Sequence, residues 1–176
     1  MRPWMKGIAV VLIQLFLVLS LGGKMLYDRS VRPRVWVRTA PYDPSLPIRG
    51  RYVRLQIVVS PKGLGKRVMT NAWAISGAVR LIVENKTLIA QADPEKEGYN
   101  HSDLHVRKII TRNKEELFAL DKRVAFFIPE HVKDPSRLKE GEQLWVEVTV
   151  PKKGPPRPIR LGIKRGDGPI QPLSLD

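Results

Sequence analysis

Between Gly7 and Gly23 the chain reads GIAVVLIQLFLVLSLGG, seventeen residues without a charge and with only Gln14 and Ser20 as polar side chains. No amphipathic stripe runs through it, so it has no side to turn toward water, and a lipid bilayer is the environment that suits it. As a helix the run is about 25 Å long. Met25, Leu26 and Tyr27 extend it past Lys24, whose aliphatic stem can carry the ammonium out to the interface. Trp4 and Tyr27 stand at the two ends, where amphipathic rings are favoured, with Arg2 and Lys6 outside the first. The sequence therefore divides into a cytoplasmic head (1–6), a transmembrane anchor (7–27) and an exported β-rich domain (28–176).

A cleavable signal peptide is the competing reading, with Ser20 and Gly22 near a cleavage site. The run is longer than the usual apolar region of about 7–15 residues and lacks an Ala-x-Ala signature, which favours the anchor. Lys24, Arg29, Arg32, Arg34 and Arg38 all follow the span, so counting positive charges alone would place the domain inside. A first hydrophobic segment behind a six-residue head nonetheless starts translocation, and long trailing domains cross largely regardless of charge. The expected location is the inner, cytoplasmic membrane, single-pass, with the C-terminal domain on the periplasmic or outer side.

The rest of the chain is basic and proline-rich. Of 176 residues 31 are Lys or Arg and 17 are Asp or Glu, a net charge of +14, and only Arg2 and Lys6 among the cations precede the apolar run. Fifteen prolines and thirteen glycines argue against a helical bundle. With no cysteine, a disulfide scaffold, a Cys-ligated zinc, a thiol nucleophile and an iron–sulfur cluster are excluded together.

Period-two alternation supplies the elements. Val53, Leu55, Ile57 and Val59 alternate with Tyr52, Arg54, Gln56 and Val58, the clearest half-buried strand in the chain. Shorter strands are expected around Val35–Arg38, on either side of a turn at Glu84-Asn85-Lys86, over LHVRKIITR, over VAFFI before Pro129, and over Leu144–Val150 and Ile159–Lys164 joined by PKKGPPRP. Residues 113–121 read as a helical turn, and DPSRLKEGE as a short helix or turn. About seven or eight short strands imply a mainly β fold, an antiparallel barrel or sandwich.

Tyr42-Asp43-Pro44-Ser45-Leu46, then Arg49-Gly50-Arg51-Tyr52-Val53-Arg54-Leu55-Gln56-Ile57, and later Phe126-Phe127-Ile128-Pro129-Glu130 follow the anchor in that order. This pattern resembles the GDYXXLXY family of small membrane-anchored bacterial proteins. The resemblance implies an accessory protein that accompanies a polytopic membrane protein, and it carries no reaction with it. Arg51 stands where the family has Asp, and Ile57 where it has its final Tyr. Positions 51, 53, 55 and 57 share one strand face, so Ile57 is expected in the core and Arg51 turned out at the strand's start.

The most sharply patterned surface is that turn and strand. Tyr42, Asp43, Arg49, Gly50, Arg51, Tyr52 and Arg54 form a candidate partner or ligand face, against the alternative of a rigid turn stiffened by proline and Asp43. Lys24, Arg29, Arg32, Arg34 and Arg38 form a membrane-proximal basic set suited to anionic lipid headgroups or acidic envelope polymers. His101, Asp103 and His105, two apart, would project from one face of a strand as an N, O, N set able to hold a divalent metal, against the alternative of a polar loop. Ser60-Pro61-Lys62 and Ser76-Gly77 are the only hints of a serine–lysine hydrolase. No nucleophile elbow, phosphate loop, zinc-protease helix or cofactor motif is present, and the aromatics are too scattered for nucleic acid. The leading expectation is a non-enzymatic accessory module for a membrane-protein partner, with an anchored hydrolase or metal enzyme and an anionic-surface binder as alternatives.

Overall fold

The computed structural model describes residues 3–40, 52–65, 75–96, 100, 102–111, 114–129, 132, 134–135 and 137–174. It separates into two units, Met1–Arg32 and Pro33–Asp176. The first is one helix, α1 (Pro3–Val31), opened by a proline whose missing N–H costs nothing at that position. Its Gly7–Tyr27 stretch has a mean hydropathy of 2.1 and is long and apolar enough to cross a bilayer. The Ser20 hydroxyl donates to the Leu17 carbonyl at 2.9 Å, which satisfies it within the helix.

The second unit is built from strands: β1 (Arg34–Ala40), β2 (Tyr52–Ile57), β3 (Ser60–Lys62), β4 (Val79–Glu84), β5 (Thr87–Ala92), β6 (Val106–Ile110), β7 (Glu116–Leu120), β8 (Val124–Phe127), β9 (Glu142–Thr149), β10 (Arg157–Arg165) and β11 (Gln171–Pro172). They form a six-stranded sheet in the order β11-β10-β9-β1-β2-β8, a three-stranded sheet β3-β5-β4 and a pair β6-β7. All pairings are antiparallel among the described strands except β3 with β5. The fold is mainly β, as expected, and its sheets are layered as in a sandwich without closing into a barrel.

The alternation read in sequence places the core. Val35 and Val37 of β1, Val53, Leu55 and Ile57 of β2, Leu144, Val146 and Val148 of β9 and Leu161 of β10 all point into one cluster. Leu81, Leu88 and Ala90 from the three-stranded sheet and Val106 and Leu120 from the β6–β7 pair complete it. Ile57 is fully buried, as expected from the strand face it occupies; Arg51 lies outside the described residues. The β4–β5 turn also follows expectation, with Asn85 and Lys86 at φ 49° and 60°, the twist a two-residue hairpin needs.

One expected element is different. Residues 116–120, in the stretch read as a helical turn, form β7, paired along its whole length with β6 from Val106↔Leu120 to Ile110↔Glu116. Glu, Leu and Ala favour helix locally, but burial of Ala119 and Leu120 in the common core outweighs so weak a preference. In the 134–142 stretch Pro135, Glu140 and Gly141 lie in turns, and Glu142 already opens β9.

Candidate functional site

Because Val53, Leu55 and Ile57 turn inward, Tyr52 and Arg54 turn outward from β2. Tyr52 lies directly opposite Phe127 of β8, and Arg54 opposite Ala125. The two rings meet edge to face, 5.6 Å between centroids and 70° between planes, an arrangement favoured by their quadrupoles. Yet Tyr52 remains 53% exposed and Phe127 60% exposed. Arg54 beside them makes no ion pair among the described residues. The β2–β8 pair thus presents two rings and a guanidinium to solvent on one face, at the edge of the six-stranded sheet. Of the remaining residues expected at this face, Tyr42, Asp43, Arg49, Gly50 and Arg51 lie outside the described residues.

The outer face of the same sheet carries a second grouping that the sequence reading missed. The Arg160 guanidinium lies over the Trp36 ring at 5.4 Å from its centroid, and the Lys164 ammonium over Trp145 at 5.5 Å. Arg160 Nε also donates to Glu147 at 2.6 Å. Trp36 packs so closely on Gly162 that a Cβ there would come within 2.9 Å of Cζ3. The contacts of Trp36 join β1 to β10 over more than a hundred positions, which no local pattern reports, while those of Trp145 and Glu147 stay within the β9–β10 hairpin.

The histidine cluster takes a structural form. Asp103 sits in a bend and His105 immediately before β6, so the set does not share a strand. The His105 ring is fully buried, with Nδ1 3.0 Å from the Ser76 carbonyl oxygen and Nε2 2.8 Å from that of Asn100. Asp103 is engaged by the Lys96 ammonium. His101 lies outside the described residues, and among those described no three His, Cys, Asp or Glu side chains gather around a common point. Ser76, buried, donates to the Gly77 carbonyl at 2.7 Å and accepts the Val106 amide at 2.8 Å. Its hydroxyl is thus a brace for β6. The Lys62 ammonium pairs with Glu84 at 3.1 Å.

The membrane-proximal cations divide. Lys24 is exposed on α1, and Arg34 opens β1 opposite Thr149. Arg32 closes the helical unit, and the side chain of Arg29 is not described. Arg38 is spent: its guanidinium grips Glu115 with two bonds of 2.7 Å. That hydrogen-bonded fork holds the Glu115 carboxyl below the usual carboxylate range. Glu142 is lowered too, first by the Lys139 backbone amide and then by Arg165.

The chain was compared with family models, with curated proteins and with solved structures, and it has no match to any of the three.

Proposed function

We propose that this chain is a single-pass membrane-anchored protein whose β domain works as a non-enzymatic interaction module, docking a membrane-protein partner through the face around Tyr52. The observation that carries the reading is the Tyr52–Phe127 pair, two large rings left half in water at a sheet edge with Arg54 beside them. Aromatic and arginine side chains in such a setting are the ones that dominate binding energy at protein interfaces. The resemblance to the membrane-anchored accessory family runs through the same strand. Gly7–Tyr27 supplies the anchor, and with the domain translocated the module stands on the exported side.

Ser76 braces β6 through the Val106 amide, and the His105 ring is held between the Ser76 and Asn100 carbonyls, which supports a structural rather than a catalytic role for these two side chains. The test is crosslinking and co-purification of the full-length protein from its own membranes, beside Tyr52→Ala with Arg54→Ala. A stoichiometric membrane-protein partner captured by the wild type and lost in the folded variant is the expected result. Equal capture by both, or capture by neither, rejects this face as the docking site.

A further inference from the structure

Pro33, the first residue of the β unit, is fixed to the sheet by a single backbone bond, its carbonyl accepting the Val150 amide at 3.1 Å. The register continues from there, with Arg34 opposite Thr149 and Thr149 opposite Arg157. The end of the six-stranded sheet at which the chain arrives from α1 is therefore the end that carries the β9–β10 loop. That loop reads VPKKGPP over residues 150–156 and leads into Arg157. Lys152, Lys153 and Arg157 are all exposed there, and none of them makes an ion pair among the described residues.

The other end of the same hairpin is different in kind. Glu142 pairs with Arg165 at 2.9 Å, the Gly166 amide meets the Gly141 carbonyl at 3.3 Å, and Glu140 and Asp167 are exposed. Charge is thus polarised along the sheet, with Lys152, Lys153 and Arg157 in no ion pair among the described residues at the arriving end and both signs at the far one. The cationic loop is also stiff. Pro151 and Pro156 are buried at its two feet, Pro155 restricts the arch, and Gly154 takes a φ of 90° at its bend. A loop already ordered loses little freedom when it binds.

Chain length sets what it meets. From Tyr27, where the apolar stretch ends, four helical steps and two extended ones reach Pro33, at most about 13 Å of contour. A surface charge is felt over about 8 Å at physiological salt. We infer that Lys152, Lys153 and Arg157 form a docking surface for anionic phospholipid headgroups, which seats the β domain on the bilayer by its tethered end. This rests on α1 being a membrane anchor and is independent of the Tyr52 face. Each cation near an anionic surface favours the docked state about fivefold, so three favour it roughly a hundredfold.

The absence of cysteine lets one introduced thiol carry one label. Full-length protein with an environment-sensitive fluorophore at Pro155→Cys, and separately at Asp167→Cys, is reconstituted into vesicles of phosphatidylcholine alone or with about 30% phosphatidylglycerol. The label at 155 is expected to shift to the blue and resist an aqueous quencher only with phosphatidylglycerol, and to lose both effects at about 0.5 M salt. The label at 167 is expected to stay unchanged. Lys152→Gln with Lys153→Gln and Arg157→Gln abolishes the shift, whereas Lys152→Arg with Lys153→Arg keeps it. Equal signals at 155 in both lipids, a shift that survives in the triple variant, or one produced by inorganic phosphate in phosphatidylcholine vesicles would overturn the proposal. Protein that fails to float with either vesicle overturns the anchor reading and this one with it, whereas protein that floats with equal signals overturns the docking surface alone.

Discussion

Arg38 and Glu115 clasp each other through two bonds of 2.7 Å across 77 positions of sequence. The clasp ties β1 to the segment that leads into β7, and its chemistry is readable in acid. Unfolded, Glu115 and Glu142 take up protons near pH 4.5; folded, both hold out to lower pH. Acidification therefore protonates the unfolded chain first and draws the equilibrium toward it. The contribution of these carboxylates is complete above the usual carboxylate range and is lost as pH falls through 4.5 and below. Glu115→Gln should make the acid limb of stability shallower by the same amount that it lowers the neutral plateau, a small one because Glu115 is 45% exposed. Urea midpoints measured across the acid range would show it, and an unchanged acid limb would contradict the assignment.

Gly162 has no room for a methyl group. A Cβ there would lie 2.8 Å from Ile170 Cγ2, 2.9 Å from Trp36 Cζ3 and 3.0 Å from the Gln171 backbone oxygen. Gly162→Ala should cost about 1–3 kcal/mol and disturb the environment of Trp36. Chemical denaturation followed by tryptophan fluorescence checks both effects; wild-type stability would refute the packing described.

Ser76→Ala removes the acceptor of the buried Val106 amide together with the donor to the Gly77 carbonyl. A loss of about 1–3 kcal/mol is expected. Hydrogen exchange should localise it, with the Val106 amide losing protection more than Leu81 or Val146.

Tyr52 and Phe127 should couple weakly in stability, about 0.5 kcal/mol in a double-mutant cycle, because both rings stay exposed. The same two substitutions should each abolish partner capture from membranes. Strong coupling in folding with no effect on capture would make the pair a structural staple.

Much of the architecture is written in two local codes. The alternation of Val53, Leu55 and Ile57 against Tyr52 and Arg54 places the core and the exposed face of β2 together, since a strand has only two sides. The apolar stretch at 7–27 is equally legible, because its length and its single charge, Lys24 near one end, speak without reference to any other segment. Residues 116–120 were not legible: Glu, Leu and Ala lean to helix, and only a partner strand ten positions earlier turns them to β. The place of His105 was hidden for the same reason. Spacing suggests a shared face, whereas the carbonyls of Ser76 and Asn100 that hold His105 come from segments whose approach no window of sequence contains. Arg160 over Trp36 and the place of Lys152 and Lys153 beside Pro33 likewise depend on the order β10-β9-β1, a fact of topology.

The six-stranded sheet ends on one side in β11, two residues long with Pro172 in it, and on the other in β8, four residues long with Pro129 just beyond. Each rim offers few free amides, and proline withholds one more. Growth of the sheet by addition of strands from neighbouring molecules has little to start from at either rim. For this sheet, resistance to edge-to-edge growth is set by where its two outer strands stop.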